Sequence, residues 1–309
     1  IRNKFFSSVA HSVFIKALFV VLLQVLFGLL GWGGLGLIIS MVLALLVGNQ
    51  QLINVFFKNR IINYRMIFNF SLKNYKNEKK RYINFPKYSM FSNLLNTISV
   101  QLPILFLTAF FSSSISGFFL LTYRVLNLPM ALLGNAIGDA FVQRASEIKD
   151  DRDQLRQITW SLYRTLLLIG IVPVSVLFYF GEDLFAFVFG ESWKMSGSFA
   201  SVLSFWTLSV FICSPISNIL FVKEKQQQGL IFQVAVFISR LVLFLLAVSM
   251  QFTAMDTVIY FGILGALLFF GLIVFLLVKI GVKLHKVLLY TLIIIMLGQF
   301  PIYLLSLWI

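Results

Sequence analysis

Apolar residues run along this chain in stretches of about 20, each long enough to cross a bilayer as a helix, and polar residues gather in the gaps between them. The stretches fall near 10–30, 35–56, 89–111, 115–142, 160–180, 198–222, 228–250, 257–279 and 286–307, roughly nine in all. Each is predicted to be a helix, because a segment in hydrocarbon has only its own backbone to satisfy its N–H and C=O groups. The gaps alternate in charge. Arg2 and Lys4 precede the first stretch, and a basic run from Lys58 to Lys87 follows the second. Arg144, Lys149, Arg152 and Arg156 follow the fourth, Lys223 and Lys225 the sixth, and Lys279, Lys283 and Lys286 the eighth. The intervening gaps hold Lys194 as their one cation, beside Glu182, Asp183, Glu191 and Asp256. Lys and Arg concentrate in cytoplasmic connections. The chain is therefore expected to start in the cytoplasm and end outside, and a segment count wrong by one would destroy the alternation.

Composition agrees with a membrane protein and excludes a soluble domain: hydrophobic residues make up 60% of the 309 residues and charged ones 12%. The net charge of +14 is what positive-inside loops produce, so it implies no nucleic-acid partner. One cysteine, Cys213, and two distant histidines, His11 and His285, leave no disulfide framework, metal site or cofactor to expect. The basic run mixes Lys and Arg with Ile, Tyr and Phe, and is expected to lie along the inner leaflet as a link between two helical bundles.

Some polar residues sit where lipid would not tolerate them. Arg124 and Arg240 fall at similar depth near the middle of the fourth and seventh stretches, and no acidic residue shares that depth. An intramembrane arginine faces a protein interior or a watery cavity. Two cations without a counter-charge imply an exogenous anion, against the alternative that each is tied to backbone carbonyls. In the third stretch Ser89, Asn93, Asn96, Thr97, Gln101 and Thr108 share one broad helical face, the mark of a wet interior or of helix-to-helix hydrogen bonding. Pro103 and Pro129 each free a carbonyl and are candidate hinges. Gly134 and Gly138 mark a close helix approach, and Asp150, Asp151 and Asp153 a solvated helix start. No carboxylate and histidine constellation suited to catalysis is present, so a transporter rather than an enzyme is expected.

The stretch from Phe85 to Glu147 resembles the opening of the second half of the Wzx-type polysaccharide flippases, in the superfamily that also contains the MATE exporters and the lipid II flippase MurJ. The resemblance rests on FPKYS at 85–89, LLN at 94–96, SVQLP at 99–103, the small-residue turn ending in Gly117, and YRVLNLPMALLGNAIGDAFVQRAS at 123–146. LFAFVFGESWKMSG at 184–197 is similar to an outer loop of the same family.

The resemblance implies an all-α, two-lobed bundle with a cavity that opens alternately to either side. Residues 1–57 would be the last two helices of the first lobe, 58–88 the cytoplasmic interlobe connection, 89–280 the second six-helix lobe, and 281–309 an extra C-terminal helix. About four helices would precede residue 1 in the full protein. The expected cargo is an undecaprenyl-pyrophosphate-linked oligosaccharide, carried across the bacterial inner membrane for O-antigen, capsule or exopolysaccharide synthesis. Arg124, Arg240 and Lys16 would neutralise its pyrophosphate, and Asn93, Asn96, Gln101 and Asn127 would bond its sugars. Membrane lipids, a polysaccharide polymerase and a chain-length regulator are the further partners implied. The rival readings are a membrane polymerase or glycosyltransferase, which wants a long polar outward loop, and a MATE-like exporter of small cations, which wants an intramembrane acid.

Overall fold

The computed structural model describes residues 6–58, 83, 85–129 and 133–307, and every regular element among them is helical. The chain divides into two compact units, Ile1–Arg81 and Tyr82–Ile309. The basic connection expected over 58–88 lies, from 59 to 82, outside the described residues, as do Arg2 and Lys4.

The first unit is a hairpin of α1 (Phe6–Leu29) and α2 (Gly33–Lys58). Its turn needs positive φ at Gly31 (+73°) and Gly33 (+50°), a region that residues with a Cβ avoid. Phe27 stacks on Trp32 at 4.9 Å across the turn. Most described apolar side chains of this hairpin are exposed, a surface suited to lipid and not to water.

The second unit holds α3 (Met90–Phe110), α4 (Ser113–Pro129), α5 (Asn135–Glu147), α6 (Arg152–Phe189), α7 (Lys194–Ser217), the single turn α8 (Ile219–Val222), α9 (Gln226–Ser249), α10 (Ala254–Lys279) and α11 (Leu284–Ser306). Seven helical segments of the described chain are long and apolar enough to cross a membrane, which makes this an all-α, multi-pass membrane protein. Of the stretch expected as one helix over 115–142, α4 is described to Pro129 and helical backbone again from Leu133, with 130–132 outside the described residues. The ninth stretch, expected as an extra helix, forms α11 and packs on α6 within this unit: the Tyr163 hydroxyl and the Thr291 Oγ1 meet in a buried hydrogen bond.

Central to the unit is α7, which packs against α4, α5, α6 and α10. Small residues let it approach its neighbours. A Cβ added at Gly197 would sit 2.4 Å from the Gly181 carbonyl oxygen, and one at Gly265 of α10 would sit 2.4 Å from the Trp206 indole. Buried hydroxyls add stitches between helices: Thr122 Oγ1 donates to the Ser196 carbonyl at 2.7 Å, Ser196 Oγ to the Phe118 carbonyl at 3.0 Å, and Ser201 Oγ to the Leu177 carbonyl at 2.9 Å. A Cβ added at Gly138 of α5 would sit 3.1 Å from Asn218 Nδ2, whereas one added at Gly134 would meet nothing within 4 Å.

The helix ends sort by charge. At one end the Lys223 ammonium donates to the Lys149 carbonyl, Lys279 to Gln228 Oε1 at 2.5 Å, and Arg156 pairs with Asp153 at 3.0 Å. The Asp151 carboxylate caps α6 there, accepting from the Asp153 and Gln154 amides at 3.0 and 2.9 Å. At the opposite end Ser198 donates to Glu182 at 2.6 Å, and Thr253 and Asp256 form a capping box on α10.

Candidate functional site: a polar cavity around a buried arginine

Within the second unit a half-open cavity of about 450 Å³ lies among α3, α4, α7, α9 and α10. Four of these helices contribute polar residues, while α10 contributes Phe269 and Leu272. Ser92, Asn93 and Asn96 come from α3, Tyr123 and Asn127 from α4, and Trp206, Thr207, Ser214 and Ser217 from α7. From α9 come Gln226, Gln233 and Arg240, seven residues apart and so two helical turns apart on one stripe. The lining reaches from helix ends at the basic side, marked by Ser89, Gln226 and Asn218, to mid-helix positions at Arg240, Trp206 and Tyr123.

Arg240 sits at the inner limit of this space and is 6% exposed. Its Nη1 donates to the Ser99 carbonyl at 2.5 Å, and the guanidinium lies 4.9 Å from the centre of the Phe261 ring. The Ser99 carbonyl needs a donor from outside its helix for a local reason. Its helical partner would be the amide four residues on, and that residue is Pro103, which has none. An arginine from α9 thus completes the hydrogen bonding of α3. The sequence left two readings of Arg240 open, a carbonyl tie and an anion site, and the geometry contains the first without using up the second: one of five N–H donors is committed to Ser99.

Among the lining residues Arg240 is the one charged side chain. Among the described residues no carboxylate lies within ion-pair distance of it. A cation buried without a counter-charge is costly, by several kcal/mol in proteins, and the cost falls when an anion or ordered water joins it. The lining also holds polar atoms without partners: Trp206 Nε1 and Gln226 Nε2, on side chains only 6% and 7% exposed, and Gln233 Oε1. Gln233 Nε2 donates to Asn96 Oδ1 at 3.2 Å, and Asn127 Nδ2 donates to the Tyr123 carbonyl at 2.7 Å. Buried polar groups are normally satisfied. Here the orphans and the free guanidinium donors share one space, so that space suits an anionic, hydrogen-bonding guest.

The structure brings together Asn93, Asn96, Asn127 and Arg240 of the residues singled out by sequence. Arg124 and Gln101 do not join them: both are exposed on the surface of the unit, on α4 and α3, at about 15 Å from the turn between those helices. The buried stripe of α4 is Phe119, Thr122 and Leu126, and Arg124 points away from it. Lys16 lies half-buried on α1, in the first unit. Pro103 is buried within α3, and Pro129 is the last described residue of α4. Thr97 and Thr108 return their hydroxyls to carbonyls of their own helix, Asn93 and Ile104. Sequence reasoning missed Tyr123, Trp206, Thr207, Gln226 and Gln233. The recurrence of Gln226, Gln233 and Arg240 at intervals of seven was the available signal for two of them.

No group of acids, histidines and cysteines suited to a metal exists among the described residues. The molecule is thus a multi-pass helical membrane protein with a polar, cation-bearing cavity inside its span. Over residues 1–198 the chain matches the family described as polysaccharide biosynthesis protein, and it belongs to that family. Comparison with curated proteins and with solved structures gives no match.

Proposed function

We propose that this protein translocates undecaprenyl-pyrophosphate-linked oligosaccharide repeat units from the inner to the outer leaflet of the bacterial cytoplasmic membrane, for O-antigen, capsule or exopolysaccharide assembly. The observation that carries this reading is Arg240: a guanidinium at membrane depth, open on one side to a polar cavity and facing no carboxylate. Guanidinium groups hold phosphates through paired N–H donors. Asn93, Asn96, Gln233 and the indole N–H of Trp206 offer the mixed donors and acceptors that sugars require. The volume is on the scale of a small-molecule site, enough for a diphosphate with its first sugar. The rest of the glycan and the prenyl chain stay outside it. In this scheme the basic helix ends face the cytoplasm, where the lipid-linked unit is made, and the cavity loads from that side. Arg124 and Gln101 supply a second polar surface along the path, because an exposed arginine at this depth cannot border lipid alone. Polymerase and chain-length regulator then act on the delivered unit.

The test uses cells that make the lipid-linked oligosaccharide but lack the gene. The unit should accumulate on the inner leaflet, and wild type should restore surface polymer. Arg240→Met should not, although it reaches the membrane in normal amount; Arg240→Lys should restore it poorly, because a point charge replaces a planar fork. Accumulation on the outer leaflet, or full rescue by Arg240→Met, would overturn the reading.

A further inference from the structure

Away from the cavity, two exposed cations and two aromatic rings interleave along the seam between α6 and α11. Arg164 lies over the Tyr290 ring at 5.6 Å, Tyr290 meets Trp160 edge to face at 5.5 Å, and Lys286 lies over Trp160 at 5.2 Å. Trp160 and Arg164 are one turn apart on α6, and Lys286 and Tyr290 one turn apart on α11, so each helix supplies one ring and one cation. Beneath them the Tyr163 and Thr291 hydroxyls join the helices, and Tyr163 stacks on Trp160 at 5.5 Å.

The depth of this ladder is set by α6. From Arg164 to the next charged residue, Glu182, the helix rises about 27 Å, close to the thickness of a hydrocarbon core of about 30 Å. Arg164 therefore marks the edge of the hydrocarbon on the basic side. Lys286 stands near the start of α11, followed by an uncharged run to its end. Trp and Tyr favour this same level, at the boundary with the headgroups. The cations are also free of protein counter-charge: among the described residues Arg164 and Lys286 form no ion pair, and the ion pairs there are join Arg144 to Glu147 and Arg156 to Asp153.

We propose that Trp160, Arg164, Lys286 and Tyr290 form a headgroup site for an anionic glycerophospholipid of the leaflet on the basic side. The two cations stand at opposite ends of the ring pair, so the phosphate diester would lie along the exposed face of the ladder and draw on both, with the rings holding the cations in place and facing the glycerol. The ladder shares no residue with the cavity, and α11 contributes nothing to the cavity lining, so the site is distinct from that of any translocated cargo. Its effect is to clamp α11 onto α6, a seam with few polar ties of its own.

The experiment measures lipid retention and thermal stability on purified full-length protein, in nanodiscs of phosphatidylcholine with and without phosphatidylglycerol. Wild type should gain thermal stability with phosphatidylglycerol and keep a bound copy in native mass spectrometry. Each cation removed, in Arg164→Gln and Lys286→Gln, should weaken that retention about five-fold, and the double variant should lose the stability gain while matching wild type in pure phosphatidylcholine. A control pair, Lys225→Gln with Lys283→Gln, removes the same charge from the same end and should keep the gain. Equal loss in the control pair, or an undiminished gain in the ladder variants, would overturn the site. Should the double variant fail to fold, the Lys286→Gln adduct count decides alone: wild-type retention refutes the proposal.

Discussion

The seams of α7 with α6 and α10 and the seam between α3 and α9 lie in one compact unit, and they are packed on opposite principles. Along the α7 seams glycines admit a neighbouring backbone or ring to within distances that leave no room for a methyl group, and the hydroxyls find carbonyls close by. Across the α3–α9 seam the helices meet through long side chains, Asn96 with Gln233 and Arg240 with the Ser99 carbonyl, and enclose polar atoms without partners. Without a hydrophobic drive between helices in lipid, close van der Waals contact is what holds them. The first kind of seam can be a frame. The second holds less tightly and leaves a space that a guest can complete.

Breaking the frame should have the largest effect. Gly197→Leu puts a side chain into the Gly181 carbonyl and the Glu182 backbone, which sits 2.5 Å from the position of the new Cβ. Neither backbone can yield, so the variant should be lost to aggregation or degradation, read by fluorescence-detected size exclusion; a monodisperse Gly197→Leu protein would show that this seam is not the frame. A smaller and more specific effect is expected at the carbonyl tie. Arg240→Met leaves the Ser99 carbonyl unpaired at a cost of about 1–3 kcal/mol. Pro103→Ala supplies the missing amide, so Arg240→Met should be milder by about 1–2 kcal/mol in that background. Additive losses in thermal stability across the four proteins would mean that the proline and the arginine are not linked. The smallest effect belongs to Gln233→Leu, which removes the bond to Asn96 and one orphan oxygen together. Stability should change by less than about 1 kcal/mol, in either direction, while restoration of surface polymer falls several-fold; unchanged polymer would take Gln233 out of the binding surface.

Much of this was legible in the sequence, but unevenly. Helices were readable as apolar runs, and the alternation of charge at their ends fixed how the runs follow one another. Depth was legible for Arg124 and Arg240 alike; azimuth was not equally so. Arg240 lies in the stripe Val236, Arg240, Leu243 and Ala247, which is buried throughout, whereas Arg124 lies opposite Phe119 and Leu126. The two arginines were thus expected at one site and occupy different surfaces. Trp206 was hidden for another reason: in an apolar run an indole counts as core, and only its neighbours reveal that its N–H borders a polar space.

The proline in α3 bears finally on assembly. Helices inserted separately into a bilayer must then find their partners, and smooth apolar surfaces can slide past one another with little loss. A carbonyl left bare by Pro103 is a single position along α3 at which a donor from another helix gains most, and Arg240 is the donor that reaches it. A gap in one helix's own bonding thereby becomes a vernier mark for its neighbour, fixing how far along α3 the helix α9 comes to rest.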